Sequence, residues 1–122
     1  MDRILLIDDN REIRELMTRL FAEWGYATVA VATLSEARNA VLSEASFKAV
    51  VCDFGLSDGN GLEFLAWLRS ERQIHAPFLL ISGSAEFDGC HPSDCSFLAK
   101  PFRMEALRSR IEGLIESKPK SR

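Results

Sequence analysis

The chain alternates short unbroken apolar runs with longer stretches in which apolar residues recur every three or four positions. ILLI at 4–7 ends in Asp8 and Asp9 and has the composition of a strand buried on both faces. Behind it, Ile13, Leu16, Met17, Leu20, Phe21 and Trp24 fall at helical spacing, and Gly25 follows as a stop. ATVAV at 27–31 predicts a second strand. Thr33, with Glu36 three residues on, has the capping-box signature for a helix carrying Leu34, Ala37, Ala40 and Val41. KAVVC at 48–52 predicts a third strand that runs into Asp53. GLSDGNG at 55–61 is turn chemistry, and Leu62, Leu65, Ala66 and Leu68 begin a helix ending near Ser70. PFLLIS at 77–82 and SFLA at 96–99 predict the fourth and fifth strands, the last ended by Lys100 and Pro101. Met104, Leu107, Ile111, Leu114 and Ile115 mark one face of a closing helix.

Apolar strands separated by helices imply right-handed crossovers, hence an α/β fold with a doubly wound parallel sheet and helices on both faces. One interval departs from the pattern. Residues 83–95 leave little room for a helix of about ten residues plus two connections of about two to six residues each. Gly83, Gly89 and Pro92 interrupt the interval, and Ala85, Phe87, Cys90 and Cys95 show no sustained period. A shortened, poorly formed or absent fourth helix is expected there.

Composition narrows the class. The chain has 122 residues, which fits one domain burying about two-thirds of its unfolded surface. With 47% hydrophobic and 27% charged residues it is ordinary for a globular protein. Its apolar runs are far short of the ~20 residues of a membrane span. The N-terminal residues lack the pattern of a secretory signal and the three cysteines lack a framework spacing, so a reducing, cytoplasmic setting is expected. A net charge of -3 argues against nucleic acid as a partner, because backbone binding needs a basic face. The domain is expected over residues 1–117, with 118–122 a polar basic tail or the start of a linker.

The candidate chemistry sits where the strands end. In doubly wound sheets ligands bind beyond the carboxyl ends of the strands, and here those ends carry Asp8 and Asp9, Asp53, Ser82 and Lys100. Adjacent carboxylates repel and resist desolvation. Three of them with one lysine leave excess negative charge, which a hard divalent cation such as Mg²⁺ relieves through oxygen ligands. Asp8 and Asp9 are then cation-holding groups, and Asp53 is a nucleophile toward a metal-bound phosphoryl group. Plainer roles exist for each. Asp9 or Asn10 suits the cap of the first helix, a role compatible with metal binding. Asp53 alone suits a turn and Lys100 alone a solvated strand end; their convergence favours a site. Cys90, His91 and Cys95 are three soft-metal candidates in one loop without a fourth, so reduced thiols are the better reading than zinc. Trp24 and Trp67 read as packing aromatics on helices.

The acidic pair in LLIDDN, the aspartate in VVCDFGLSDGNG, the hydroxyl in LLISG and the lysine–proline in FLAKPF, in this order, resemble the receiver domain of two-component response regulators. The resemblance covers nearly the whole chain. It implies a flavodoxin-like five-stranded sheet in the order 2-1-3-4-5. Asp53 would accept phosphate from a histidine kinase or histidine phosphotransfer protein in a phosphorelay. Asp9 would bind Mg²⁺ directly and Asp8 largely through water, with further ligands from Asp53 and the Gly55 carbonyl. Lys100 and Ser82 would hold phosphoryl oxygens, Phe97 would be the switch aromatic, and the bond before Pro101 would be cis. The pattern departs from the family at three positions. Ser57 stands where proline is usual, which leaves the turn after Asp53 without a fixed φ. Ser82 stands for the commoner threonine, and Phe97 for a frequent tyrosine.

The resemblance implies a phosphoacceptor rather than an enzyme acting on external substrates. Two other classes remain open from the sequence. A pseudo-receiver would bind a partner without phosphorylation. An aspartyl-phosphate phosphatase would use the same Asp and Mg²⁺ chemistry, although Gly55 stands where such enzymes typically carry an acid–base carboxylate. The cognate kinase and the downstream protein target are not written in the chain.

Overall fold

A computed structural model of the chain describes residues 2–43, 46–83 and 95–116. The apolar runs become strands: β1 (Asp2–Ile7), β2 (Tyr26–Val31), β3 (Ala49–Asp53), β6 (Phe78–Ser82) and β7 (Ser96–Ala99). Between β3 and β6 lies a small antiparallel hairpin, β4 (Gly55–Leu56) and β5 (Gly59–Asn60). The helices among the described residues are α1 (Arg11–Glu23), α2 (Leu34–Ser43), α3 (Gly61–Ser70) and α4 (Met104–Glu116). The five long strands form one parallel sheet in the order β2-β1-β3-β6-β7. With β6 and β7 as the fourth and fifth strands, this is the expected 2-1-3-4-5 order. The interval proposed to lack a full fourth helix lies largely outside the described residues, as do Cys90, His91 and the tail 118–122.

Strand alternation sorts the core. Side chains along a strand point to opposite faces, so Ile4, Leu6, Val51 and Leu79 pack toward α1 and α4 around Met17, Phe21, Leu107 and Ile111. Leu5, Ile7, Val50 and Leu80 pack the other way, toward Leu34 and Val41 of α2 and Phe64 and Leu68 of α3. Ile4 to Ile7 are almost wholly buried, which is why that run carries no polar alternation. The expected edges of β1 and β2 start two residues and one residue late, since polar Asp2 and Arg3 still pair with Tyr26 and Ala27, while those of β3 and β6 start one residue early.

The same alternation sets the direction of the site residues. Asp8 continues the row of Ile4 and Leu6, Asp53 that of Ala49 and Val51, and Lys100 that of Leu98, all on the α1/α4 face. Ser82 continues the row of Phe78 and Leu80, and Phe97 is the register partner of Leu80, on the α2/α3 face.

Two caps differ from the spacing-based expectation. Thr33 Oγ1 accepts from Glu36 N at 3.1 Å, but the Glu36 carboxylate accepts from Ala32 N at 2.8 Å rather than closing the box on Thr33. The full capping box is at α3, where Asn60 Oδ1 accepts from Glu63 N at 3.0 Å and Glu63 Oε1 accepts from Asn60 N at 3.3 Å.

Candidate functional site

Three carboxylates meet at the carboxyl-terminal pole of the sheet. Asp8, Asp9 and Asp53 each offer an oxygen within 4.8 Å of the others. Lys100 Nζ lies 3.1 Å from Asp53 Oδ1. The chain holds Lys100 by extending the sheet past β7: Lys100 N donates to Ser82 O at 2.9 Å, and the Lys100–Pro101 bond is cis, as expected.

Asp8 is buried, with 4% of its surface exposed. Its N–H donates to Val31 O at 3.1 Å, its Oδ1 accepts from Asn10 N at 2.9 Å, and its carbonyl accepts from the Arg14 guanidinium at 2.8 Å. Burial pushes its carboxyl above the ordinary carboxylate range; the Asn10 hydrogen bond opposes this, the Asp53 and Asp9 charges add to it, and Lys100 offsets part. The cap of α1 is Asn10, whose side chain accepts from Ile13 N at 3.1 Å, leaving Asp9 exposed at the pole. An all-oxygen set short of positive charge fits a hard divalent cation such as Mg²⁺.

The segment after Asp53 is pinned to the sheet. Phe54 N donates to Ile81 O at 2.8 Å and Gly61 N to Phe54 O at 2.9 Å. Gly55 is exposed and pairs with Asn60. Gly61 is where α3 meets β3 and β6 most closely: a Cβ there would lie 2.6 Å from Leu80 Cδ1 and 3.1 Å from both Asp53 O and Cys52 Sγ. Cys52 is fully buried within β3, next to Asp53. Its thiol donates to Asp53 O at 3.2 Å, and burial raises its pKa well above the usual thiol value, which makes it a packing residue.

Ser82 is a buried hydroxyl one residue beyond Ile81, the register partner of Asp53. Phe97 is half-buried against the α2/α3-side core, and its carbonyl accepts from the Arg110 guanidinium. Cys95 is buried and its thiol donates to Ser96 O at 3.3 Å. Among the described residues the carboxylate trio is the one cluster suited to a metal. Both tryptophans pack: Trp67 stacks on Phe64 at 5.6 Å between ring centroids, and Trp24 lies 5.7 Å from Phe21 and 5.6 Å from the Arg108 guanidinium. A cleft of about 570 Å³ opens beside the pole, walled by Ile13 and Met17 of α1 and by Pro101, Phe102 and Met104, with Asp8 and Lys100 on its rim.

One residue of this region escaped the sequence reading. Asp58, in the β4–β5 turn, accepts from Leu34 N at 2.9 Å and from Ser35 N at 3.0 Å. The two amide hydrogen bonds hold its carboxyl below the ordinary value of 3.8. Ser57 therefore does not leave the turn untethered.

The response regulator receiver domain family matches residues 4–112. The transcriptional regulatory protein PmrA of Pectobacterium parmentieri is 29% identical, covering 93% of this chain and 52% of its own. The chemotaxis protein CheY of Pseudomonas aeruginosa is 24% identical, covering 93% and 96%. The chain thus spans about half the length of PmrA and nearly all of CheY. Among solved structures, a response regulator receiver domain protein from Clostridium thermocellum superposes with a TM-score of 0.87 at 20% identity, covering 97% of each chain. The response regulator TrrA from Thermotoga maritima, in complex with Mg²⁺ and BeF, gives 0.82 at 25% identity, covering 93% of this chain and 99% of its own. The chain belongs to the response regulator receiver domain family, with the flavodoxin-like fold its sheet order describes. No helix among the described residues is long and apolar enough to cross a membrane.

Proposed function

We propose that this receiver domain, spanning residues 1–117, accepts a phosphoryl group on Asp53 from a histidine kinase or histidine phosphotransfer protein in the cytoplasm. The observation that carries the proposal is the three-carboxylate pole with Lys100 Nζ 3.1 Å from Asp53 Oδ1. Asp8, Asp9, Asp53 and the Gly55 carbonyl would hold Mg²⁺, the ion found with the TrrA neighbour. Bound there, the ion supplies positive charge to the oxygens of the transferring group.

This chain's residues do the rest. An Asp53 carboxylate oxygen attacks phosphorus, a P–O bond forms, the donor's P–N bond breaks, and its electron pair leaves with the imidazole nitrogen. Lys100 passes from the carboxylate to a phosphoryl oxygen, and its charge offsets the negative charge that builds there. The Ser82 hydroxyl hydrogen-bonds a second oxygen, and Phe97, packed on the same face, senses that contact. The product is a covalent acyl phosphate on the protein itself, which distinguishes the domain from a phosphatase that releases phosphate from external substrates.

Intact mass after incubation with acetyl phosphate tests the reading. A single added phosphoryl group, formed with Mg²⁺ and absent with a chelator, is the expected result. Labelling unaffected by the chelator, or sustained phosphate release without an adduct, overturns it.

A further inference from the structure

The β4–β5 hairpin carries Gly55, yet it has only two residues in each strand and such a hairpin does not hold its own position in water. Its base is fixed by the sheet and by the Asn60–Glu63 box of α3. Its tip is fixed differently. Each oxygen of the Asp58 carboxylate takes one backbone amide of α2, Leu34 N at 2.9 Å and Ser35 N at 3.0 Å. These are first-turn amides that have no partner inside the helix, and the carboxylate also meets the positive end of the helix dipole. Close packing backs the bonds: at Gly59, with φ at +146°, a Cβ would stand 2.8 Å from Leu34 Cδ1, a side chain sunk in the core. Ser57, lacking a proline ring, adds no restraint to the turn.

We propose that Asp58 is a positioning residue for the metal and acceptor site: by clamping the hairpin tip to α2, it holds the Gly55 carbonyl at the pole beside Asp53. The inference rests on the reading of that pole as a Mg²⁺ site. The clamp acts on the ion through the backbone, so its loss changes cation affinity without removing a charge from the carboxylate trio. It also joins α2 to the acceptor loop, two parts of the chain 24 residues apart.

The test compares Mg²⁺ affinity by titration calorimetry, amide exchange over residues 55–60 and thermal midpoint in the wild type, Asp58→Ala, Asp58→Asn and Glu36→Ala. Asp58→Ala is expected to weaken Mg²⁺ binding about tenfold, the low end for losing a residue that supports a ligand, and to speed exchange over 55–60. Asp58→Asn keeps one accepting oxygen and is expected to recover most of the affinity. Glu36→Ala removes the bond to Ala32 N at the same helix end; it should lower the midpoint and leave Mg²⁺ affinity unchanged. Unchanged affinity in Asp58→Ala, or an equal loss in Glu36→Ala, overturns the proposal, as does a wild type that binds no Mg²⁺. Labelling of the wild type by acetyl phosphate, measured in parallel, separates the two readings. An affinity loss in Asp58→Ala as expected, with a wild type that binds Mg²⁺ but takes no phosphate, defeats the acceptor role alone. A labelled wild type with unaltered Asp58→Ala affinity defeats the positioning role alone.

Discussion

Lys100 Nζ lies 3.1 Å from Asp53 Oδ1, with the lysine side chain 40% exposed and the aspartate 12%. The Asp53 carboxylate is therefore already ion-paired in the fold, by a cation that is itself partly open to solvent. The pair contributes little to folding, since partly exposed ion pairs are worth about 0–1 kcal/mol. On the proposed function its effect belongs to the chemistry, where the same ammonium would meet growing charge. Lys100→Ala is expected to keep its thermal midpoint to within a few degrees and to slow labelling by acetyl phosphate about tenfold or more at saturating Mg²⁺. An initial rate equal to that of the wild type would remove Lys100 from the mechanism.

Gly61 supplies a second prediction. A methyl group there has nowhere to go: Leu80 Cδ1 at 2.6 Å and the Asp53 carbonyl oxygen at 3.1 Å close the space. Gly61→Ala should destabilise the fold by about 1–3 kcal/mol, the usual cost of overpacking, and push α3 away from β3. Urea denaturation gives the value. A midpoint equal to or above that of the wild type contradicts the tight contact.

The acid limb of stability gives a third. Two amide bonds lower the Asp58 pKa in the folded state below the usual 3.8, so the unfolded chain binds the proton more readily. The stabilising contribution is full above the unfolded value and is lost as pH falls through the folded one. Asp58→Asn, which cannot titrate there, should be less stable than the wild type at neutral pH, with the gap closing below about pH 4. Urea midpoints measured from neutral to acid pH check this; a gap that stays constant with pH would mean that the carboxylate charge plays no part.

Much of this molecule was legible in the chain because two kinds of signal are local. Ile4 to Ile7 announce a buried strand by lacking any polar position, and Ile13, Met17, Phe21 and Trp24 announce a helix by their period. The pole followed from topology, since parallel strands deliver Asp8, Asp53 and Lys100 to one end whatever the loops do. The faces could be counted off too, by parity along each strand. Partners set by distant segments could not. Asp58 caps a helix that begins 24 residues before it, and the spacing of Thr33 and Glu36 gives no hint that Glu36 reaches Ala32 instead. Asn60 and Glu63 do carry the capping-box spacing, but Asn60 sits inside a run that reads as turn chemistry. The contact of Trp24 with Arg108 joins α1 to α4 and has no local signature.

The central claim is that Asp53 alone takes the phosphoryl group, and substitution tests it most directly. Asp53→Asn removes the nucleophile and nearly preserves shape, so its circular dichroism should match the wild type. With acetyl phosphate and Mg²⁺, intact mass should show one added phosphoryl group on the wild type and none on Asp53→Asn. Labelling of the folded Asp53→Asn protein to the same extent as the wild type, at any other residue, would contradict the assignment.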